Sequence, residues 1–362
     1  MMKNVLSGIA VLFVTNLTAQ DTTRKENKAQ VSISGYAEAY YNYDLNKPAD
    51  HYRPGFLYSH NRSNEFNINL AYVKAGYTAE RVRASLALAA GTYMNANYAA
   101  EPGVLKNVYE ANVGFKVSQR KNLWFDIGIM PSHIGFESAV SKDCRALTRS
   151  LVAENSPYYE SGAKLTYTTD NGKWLLSALA LNGWQRIQRV SGNSLMSWGT
   201  QLQFKPTDKV LLNYSTFLGT DKPDSARRWR YFHNVYSIVQ LSDKLEATLG
   251  FDLGQEQASK GESKLNTWYA PVIILRYAPV DQWAVAVRGE YYNDEHGVII
   301  GTGTPNGFKT TGLSTNIDYM PVNHLALRLE GRWLSSKDRI FVKKESWSAN
   351  NAAITFSAAV SF

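Results

Sequence analysis

Cysteine is nearly missing from this chain: Cys144 stands alone in 362 residues, so no intrachain disulfide framework holds the fold. Histidine is scarce too. The six, His51, His60, His133, His233, His296 and His324, fall mostly in loops or turns, and none forms a metal-spaced pair on one element. Beyond the first residues no stretch offers the ~20 continuous apolar residues of a membrane helix, and mean hydropathy is negative. The formal net charge is +8, yet the basic residues are scattered, with no cluster or motif of a nucleic-acid reader. These absences exclude a disulfide-stapled scaffold, a helical membrane bundle and a nucleic-acid-binding module, and nothing calls for a cofactor. A membrane β-barrel survives them, because each of its strands is only half apolar and escapes a hydropathy window.

What is present is alternation. About sixteen strands are expected, near 31–44, 64–79, 82–95, 105–117, 122–131, 158–169, 173–184, 196–206, 209–219, 229–240, 244–256, 266–278, 282–293, 308–320, 323–336 and 349–362. The connections alternate short and long. Among the short ones, Pro206-Thr207-Asp208-Lys209, Leu241-Ser242-Asp243-Lys244, Pro279-Val280-Asp281-Gln282 and Pro321-Val322-Asn323-His324 share a form, in which Asp or Asn side chains are expected to close the turn. Every second connection is long, from 45–63 to 337–348. This predicts an all-β, antiparallel up-and-down transmembrane barrel with short periplasmic turns and long outer loops. A propeller, the soluble alternative, packs four short strands into the ~40 residues that here hold two long ones.

The strand faces agree. Leu325, Leu327, Leu329 and Trp333 oppose Arg328, Glu330 and Arg332; Trp283, Val285, Val287 and Tyr291 oppose Arg288 and Glu290; Leu245, Leu249 and Phe251 oppose Glu246 and Asp252. One face needs water and the other needs lipid. The second strand breaks the rule: Phe66, Ile68, Leu70 and Tyr72 are followed in phase by Lys74, which calls for a bulge or slip. Aromatics gather at both strand ends, with Tyr167, Trp174, Phe204, Tyr277, Trp283 and Tyr319 by the short turns. Tyr93, Trp184, Trp229, Trp268, Tyr291 and Trp333 lie by the long loops, and two interface girdles are expected.

The two ends fit the same picture. Lys3 and the apolar run Val5–Val14, ending near Ala19-Gln20, read as a signal peptide over 1–19. A polar spacer over 20–30 precedes a barrel over 31–362. The closing strand alternates Ile354, Phe356, Ala358, Val360 and Phe362 with small or polar residues. In this it is similar to the closing strands of bacterial outer-membrane barrels, whose assembly machinery reads a terminal aromatic. Phe362 is the expected signal.

The segments Gly35–Tyr43, Gly128–Glu137 and Glu154–Leu165 resemble the OmpL-like β-barrel porins of Bacteroidetes-type genomes. The resemblance implies a multi-pass barrel in the outer membrane of a Gram-negative bacterium, surrounded by its lipid, with a pore role. It supplies neither a substrate nor a residue map.

Loop 132–157 is the longest connection and the third of the outer loops. By analogy with general porins it is the constriction element, with an amphipathic, helix-like centre from Ser141 to Glu154; Ser141 is its expected cap, with Asp143 in the first turn. Folded inward, it sets His133, Glu137, Lys142, Asp143, Arg145, Arg149 and Glu154 against wall residues Arg288, Glu290, Arg328, Glu330 and Arg332. Opposed charges across a wet constriction would select small hydrophilic solutes or ions by field. Folded over the mouth instead, the loop leaves its charges merely solvated. Two further classes stand beside the channel. One is a closed barrel that binds a protein or glycan through its outer loops. The other is a hydrolase, for which His51, His60, Asp50 and Ser59 of the first outer loop are the material; a solvated surface loop is the simpler account of those residues. Cys144 reads as incidental, although Lys142 and Arg145 are placed to lower its pKa. A homo-oligomer is compatible with all of this.

Overall fold

A computed structural model describes residues 29–362; the expected signal peptide over 1–19, and all of the expected spacer but its last residues, lie outside them. The wall consists of β1 (Gln30–Asp44), β2 (Phe66–Thr78), β3 (Val82–Ala90), β4 (Val108–Lys116), β5 (Asn122–Pro131), β6 (Tyr159–Thr168), β7 (Trp174–Leu181) and β8 (Ser197–Thr207). It continues with β9 (Val210–Gly219), β10 (Arg230–Gln240), β11 (Leu245–Gln257), β12 (Leu265–Val280), β13 (Trp283–Asp294), β14 (Phe308–Val322) and β15 (Leu325–Ser336). A small hairpin, β16 (Phe341–Lys343) and β17 (Ser346–Ser348), sits in the last outer loop, and β18 (Asn350–Ser361) closes the barrel against β1. Sixteen antiparallel strands therefore form one closed sheet in chain order. At the seam Phe362 and Gly35 exchange both backbone hydrogen bonds at 3.0 Å, so pairing runs to the final residue.

The period-2 faces emerge as read. On β15, Leu329 is 45% exposed while its neighbours Arg328 and Glu330 are buried. The outer face carries apolar side chains to lipid, and the inner face carries charge. The phase break in β2 is a bulge. Glu38 pairs with Leu70 and Ala39 with Ile68, leaving Asn69 as the extra residue. The amide of Asn69 turns inward, accepts from His60 N and donates to Glu38 at 2.9 Å. Downstream of it Tyr72 and Lys74 face the lumen, and Val73 and Tyr77 take the lipid side.

Several expectations change. The strand expected over 82–95 stops at Ala90, and α1 (Thr92–Asn97) follows. Gly91 makes the corner at φ 130°, with Asn69 O only 2.4 Å from where a Cβ would stand, so a side chain is excluded twice over. The strand expected from 105 begins at Val108, after a 3-10 turn at Gly103–Asn107. The hydrogen bonds that close the short turns come from Ser118, Asn171, Thr207 and Ser242, not from the aspartates singled out. Ser and Thr hydroxyls make the same local turn as Asp or Asn, though more weakly.

The outer aromatic girdle is thinner than expected. Trp333 does face out, but Trp268, Tyr93 and Trp184 point inward. Trp268 lies over Gly254, where a Cβ would sit 1.9 Å from the ring. In the outer half part of the inner face is apolar too: Phe217, Phe232, Trp268, Phe308 and Leu334 pack on Leu57, Leu151, Val152, Ile300 and Phe341 from the loops, beside the buried Arg230–Glu256 pair. Strand ends that are covered by packed loops lose the water that a polar inner face requires.

Candidate constriction and outer vestibule

Loop 132–157 lies against the inner wall, with its backbone held by wall side chains. The long helix expected over 141–154 does not form. A 3-10 turn at Ser141–Asp143 and a single helical turn, α2 (Leu151–Glu154), flank an irregular stretch of bends. Ser150, and not Ser141, caps the helix, accepting from Ala153 N. An irregular segment in a lumen has no ladder for its N–H and C=O groups, and each must find another partner. The wall supplies these. Leu147 N donates to Asn316, Thr148 N to Glu330 at 2.5 Å, and Leu151 N to Glu290 at 2.6 Å. In the other direction Arg288 donates to Thr148 O at 2.6 Å, Arg332 to Arg149 O at 3.0 Å, and Arg328 to the carbonyls of Ser141 and Cys144.

These wall charges also pair with one another. Arg288 meets Glu330 at 2.8 Å, Arg332 meets Glu290 at 2.6 Å, and Arg328 meets Asp318 at 2.6 Å. Every one of them is buried. Asp318, on the neighbouring strand, joins the network without having been singled out from the sequence.

The loop residues divide into three groups. Arg145 forms a two-pronged pair with Glu246 (2.5 and 2.9 Å), and with Lys142 and Asp143 it borders a cavity of about 190 Å³ that also touches Arg276, Asp318 and Arg328. Lys142 reaches Ser361 at 2.6 Å on the closing strand. Arg149 does not face any space: it is fully buried, and its guanidinium donates to the carbonyls of Ser138, Leu147 and Ala139, stapling the loop to itself. Glu137 supports that staple by accepting from Ser150 N and Oγ. Glu154 faces away from the wall and accepts Tyr58 N (2.9 Å) and Ser59 N (3.2 Å) of the first outer loop. Burial pushes its carboxyl up to about 7 against the pull of those donors, Arg149 and Arg332.

His133 anchors the start of the loop. Its Nδ1 lies 2.6 Å from Glu160 and its Nε2 lies 2.8 Å from Thr216 O. Both partners accept, so both ring nitrogens carry protons and the ring is an imidazolium. Burial lowers its pKa, but Glu160 and the two hydrogen bonds outweigh burial, and the net shift is upward.

The first outer loop is solvated only in part: Asp50 and His51 are exposed as expected, but His60 and Ser59 are buried. Glu38 receives His60 Nε2 (3.1 Å), Ser141 Oγ (2.6 Å) and Asn69. Ser59 Oγ has no hydrogen-bond partner, so no base touches it, as a nucleophile would require. Cys144 is buried as well. Burial raises its thiol pKa, with the nearby Arg149 and Arg328 only partly offsetting this, so the expected lowering by Lys142 and Arg145 does not occur.

Above the loop, a cavity of about 1020 Å³ opens among the outer loops 45–65, 295–307 and 337–349.

A family model described as "Putative beta-barrel porin-2, OmpL-like" matches residues 30–362, the whole barrel. The chain belongs to this family. It is thus an outer-membrane β-barrel of porin type, as the resemblance implied. No curated protein matches it. Solved structures share the fold at low identity. An anion-selective porin from Comamonas acidovorans is 8% identical, with TM-score 0.61 over 92% of this chain and 100% of that one. The outer-membrane channel DcaP of Acinetobacter baumannii is 10% identical, with TM-score 0.57 over 92% and 97%. A trimer form of the Vibrio cholerae outer-membrane protein OmpT is 9% identical, with TM-score 0.58 over 93% and 100%.

Proposed function

We propose that this porin-family barrel passes small hydrophilic solutes or ions down their gradient, with loop 132–157 setting the narrowest point. The observation that carries this reading is the inner cavity bordered by Lys142, Asp143, Arg145, Glu246, Arg276 and Arg328, where charges of both signs face one space. Such a constriction orients solutes by field and needs no cofactor or covalent step. Arginines and carboxylates nearly balance there, so the sign of ion preference follows from the measured field and not from net charge. The trimer form among the structural relatives motivates a homotrimer here. By analogy with outer-membrane barrels, residues 1–19 direct export, a short spacer follows, and the assembly machinery reads Phe362.

One observation favours a second reading, a closed barrel that works through its outer loops. Arg149, Arg288 and Glu330 are fully buried where loop meets wall, and an apolar cluster fills the outer half of the lumen. Single-channel recording of the refolded protein in a planar bilayer under a salt gradient decides between the two. Discrete open steps, altered in size by Arg145→Ala, support the channel, and the reversal potential gives the preferred sign. A silent bilayer containing correctly folded barrel overturns it in favour of the closed form.

A further inference from the structure

Six arginines are buried among the described residues, and five of them are partnered. Arg149 holds three carbonyls, while Arg230, Arg288, Arg328 and Arg332 pair with Glu256, Glu330, Asp318 and Glu290. Arg53 is the exception. It is 4% exposed, and its Nε and Nη1 have no hydrogen-bond partner. Its backbone is fixed by a bond from Arg53 N to Asn61 O at 2.9 Å. The surrounding carboxylates are already engaged. Asp44 accepts Asn351 on both oxygens, Glu154 accepts Tyr58 N and Ser59 N, and Glu330 is taken by Arg288 and Thr148. A desolvated guanidinium with unused donors is costly, and a built protein keeps one where a ligand completes it.

Arg53 lines the 1020 Å³ cavity of the outer vestibule, a volume suited to a small organic molecule. Much of the remaining lining is apolar or aromatic, including Phe56, Ile300, Ile340 and Trp347. Arg53 and Arg339 balance Asp44 and Asp50 around it, so the vestibule has no excess positive field to attract a polyanion. A fork of N–H donors beside apolar walls matches one carboxylate on an apolar body.

We propose that the outer vestibule binds organic monocarboxylates, with Arg53 as the partner of the carboxylate and Phe56, Ile300 and Trp347 as the seat of the apolar body. As a statement about what enters the pore, this rests on the channel reading. The binding itself does not, and it is measured separately from conduction.

The test is titration calorimetry on the refolded full-length barrel in detergent, with empty micelles as blank and 4-phenylbutyrate and neutral 4-phenyl-1-butanol as probes. The carboxylate binds saturably, and the alcohol binds at least about tenfold more weakly, as expected for loss of a charge-assisted hydrogen bond. Arg53→Gln, checked for folding by heat-modifiable gel migration, weakens the carboxylate by a similar factor and leaves the alcohol unchanged. Arg120→Gln, exposed in the short turn between β4 and β5 and away from the vestibule, changes neither by more than about twofold. Equal affinity for the two probes, undiminished carboxylate binding by folded Arg53→Gln, or no saturable binding by folded wild type overturns the proposal. If Arg53→Gln does not fold, the two probes on wild type decide alone. A barrel that binds the carboxylate but stays silent in a bilayer keeps this site and loses the channel reading.

Discussion

Two parts of the lumen hold the same loop by different physics. Along β13 to β15, Arg288, Glu290, Arg328, Glu330 and Arg332 grip individual backbone atoms of residues 141–151. In the outer half, Phe217, Phe232, Trp268 and Phe308 meet Leu151, Val152 and Leu57 through unspecific apolar contact. The first region is directional and fixes which residue lies opposite which. The second is non-directional and supplies cohesion, tolerating any filling of the right volume. A loop that must keep one path through a membrane barrel needs both, since apolar packing alone does not fix an irregular segment in place.

The comparison is broken most sharply at Glu330. Glu330→Ala leaves Arg288 and Thr148 N buried without their acceptor, a loss of about 3–5 kcal/mol. The amides of 144–151 should then exchange rapidly by hydrogen–deuterium exchange mass spectrometry, while the wall strands stay protected. Unchanged protection of 144–151 would show that apolar packing alone holds the loop. Leu151→Ala probes the other region. It should cost about 2–5 kcal/mol, read as a lower denaturant midpoint, while Leu151→Met costs under about 1.5. Arg288→Lys, by contrast, should be far from neutral, because an ammonium cannot serve Thr148 and Glu330 with the same planar fork. If Leu151→Met and Arg288→Lys cost the same, the distinction between the regions fails.

Smaller effects sharpen it. Ser150→Ala removes both the cap of α2 and the hydroxyl that Glu137 accepts, and should cost about 1–3 kcal/mol, visible as faster exchange at Ala153 and Glu154 and around 137–139. Two loop anchors should also respond to pH in the same direction. His133 has a raised pKa in the fold, so its contribution is complete below about 6.5 and fades as pH rises through the folded value. Glu154 is pushed up to about 7, so the folded chain binds its proton more tightly than the unfolded one, and its buried position is favoured as pH falls from about 7 toward 4.5. Protection factors corrected for intrinsic exchange should therefore fall at both 132–134 and 57–60 between about pH 5.5 and about pH 8.5. A rise at either segment would remove that assignment.

Of the candidate site, the residues were legible and their duties were not. Arg149 looked like a pore arginine because an amphipathic reading exposes it. In an irregular strap it is instead the side chain long enough to satisfy three carbonyls of its own loop. Glu154 looked like a partner for the wall, yet the single turn α2 points it at the first outer loop. Trp268 and Trp184 sat at the girdle positions by count, but only the packed loops reveal that their side of the wall is dry.

The barrel follows from local pattern. Period-2 alternation, alternating short and long connections and a strand pattern running to Phe362 are local properties, and strand pairing in chain order needs nothing more. Even the bulge at Asn69 was announced by the phase break between Tyr72 and Lys74. That loop 132–157, singled out by analogy, folds inward and not over the mouth, which charges meet there, and that Arg53 is left without a partner depend on the closed fold. Each depends on residues such as Arg53, Thr148 and Glu330 that are distant along the chain and converge only after the sheet has closed, and no local periodicity records a contact across a closed lumen.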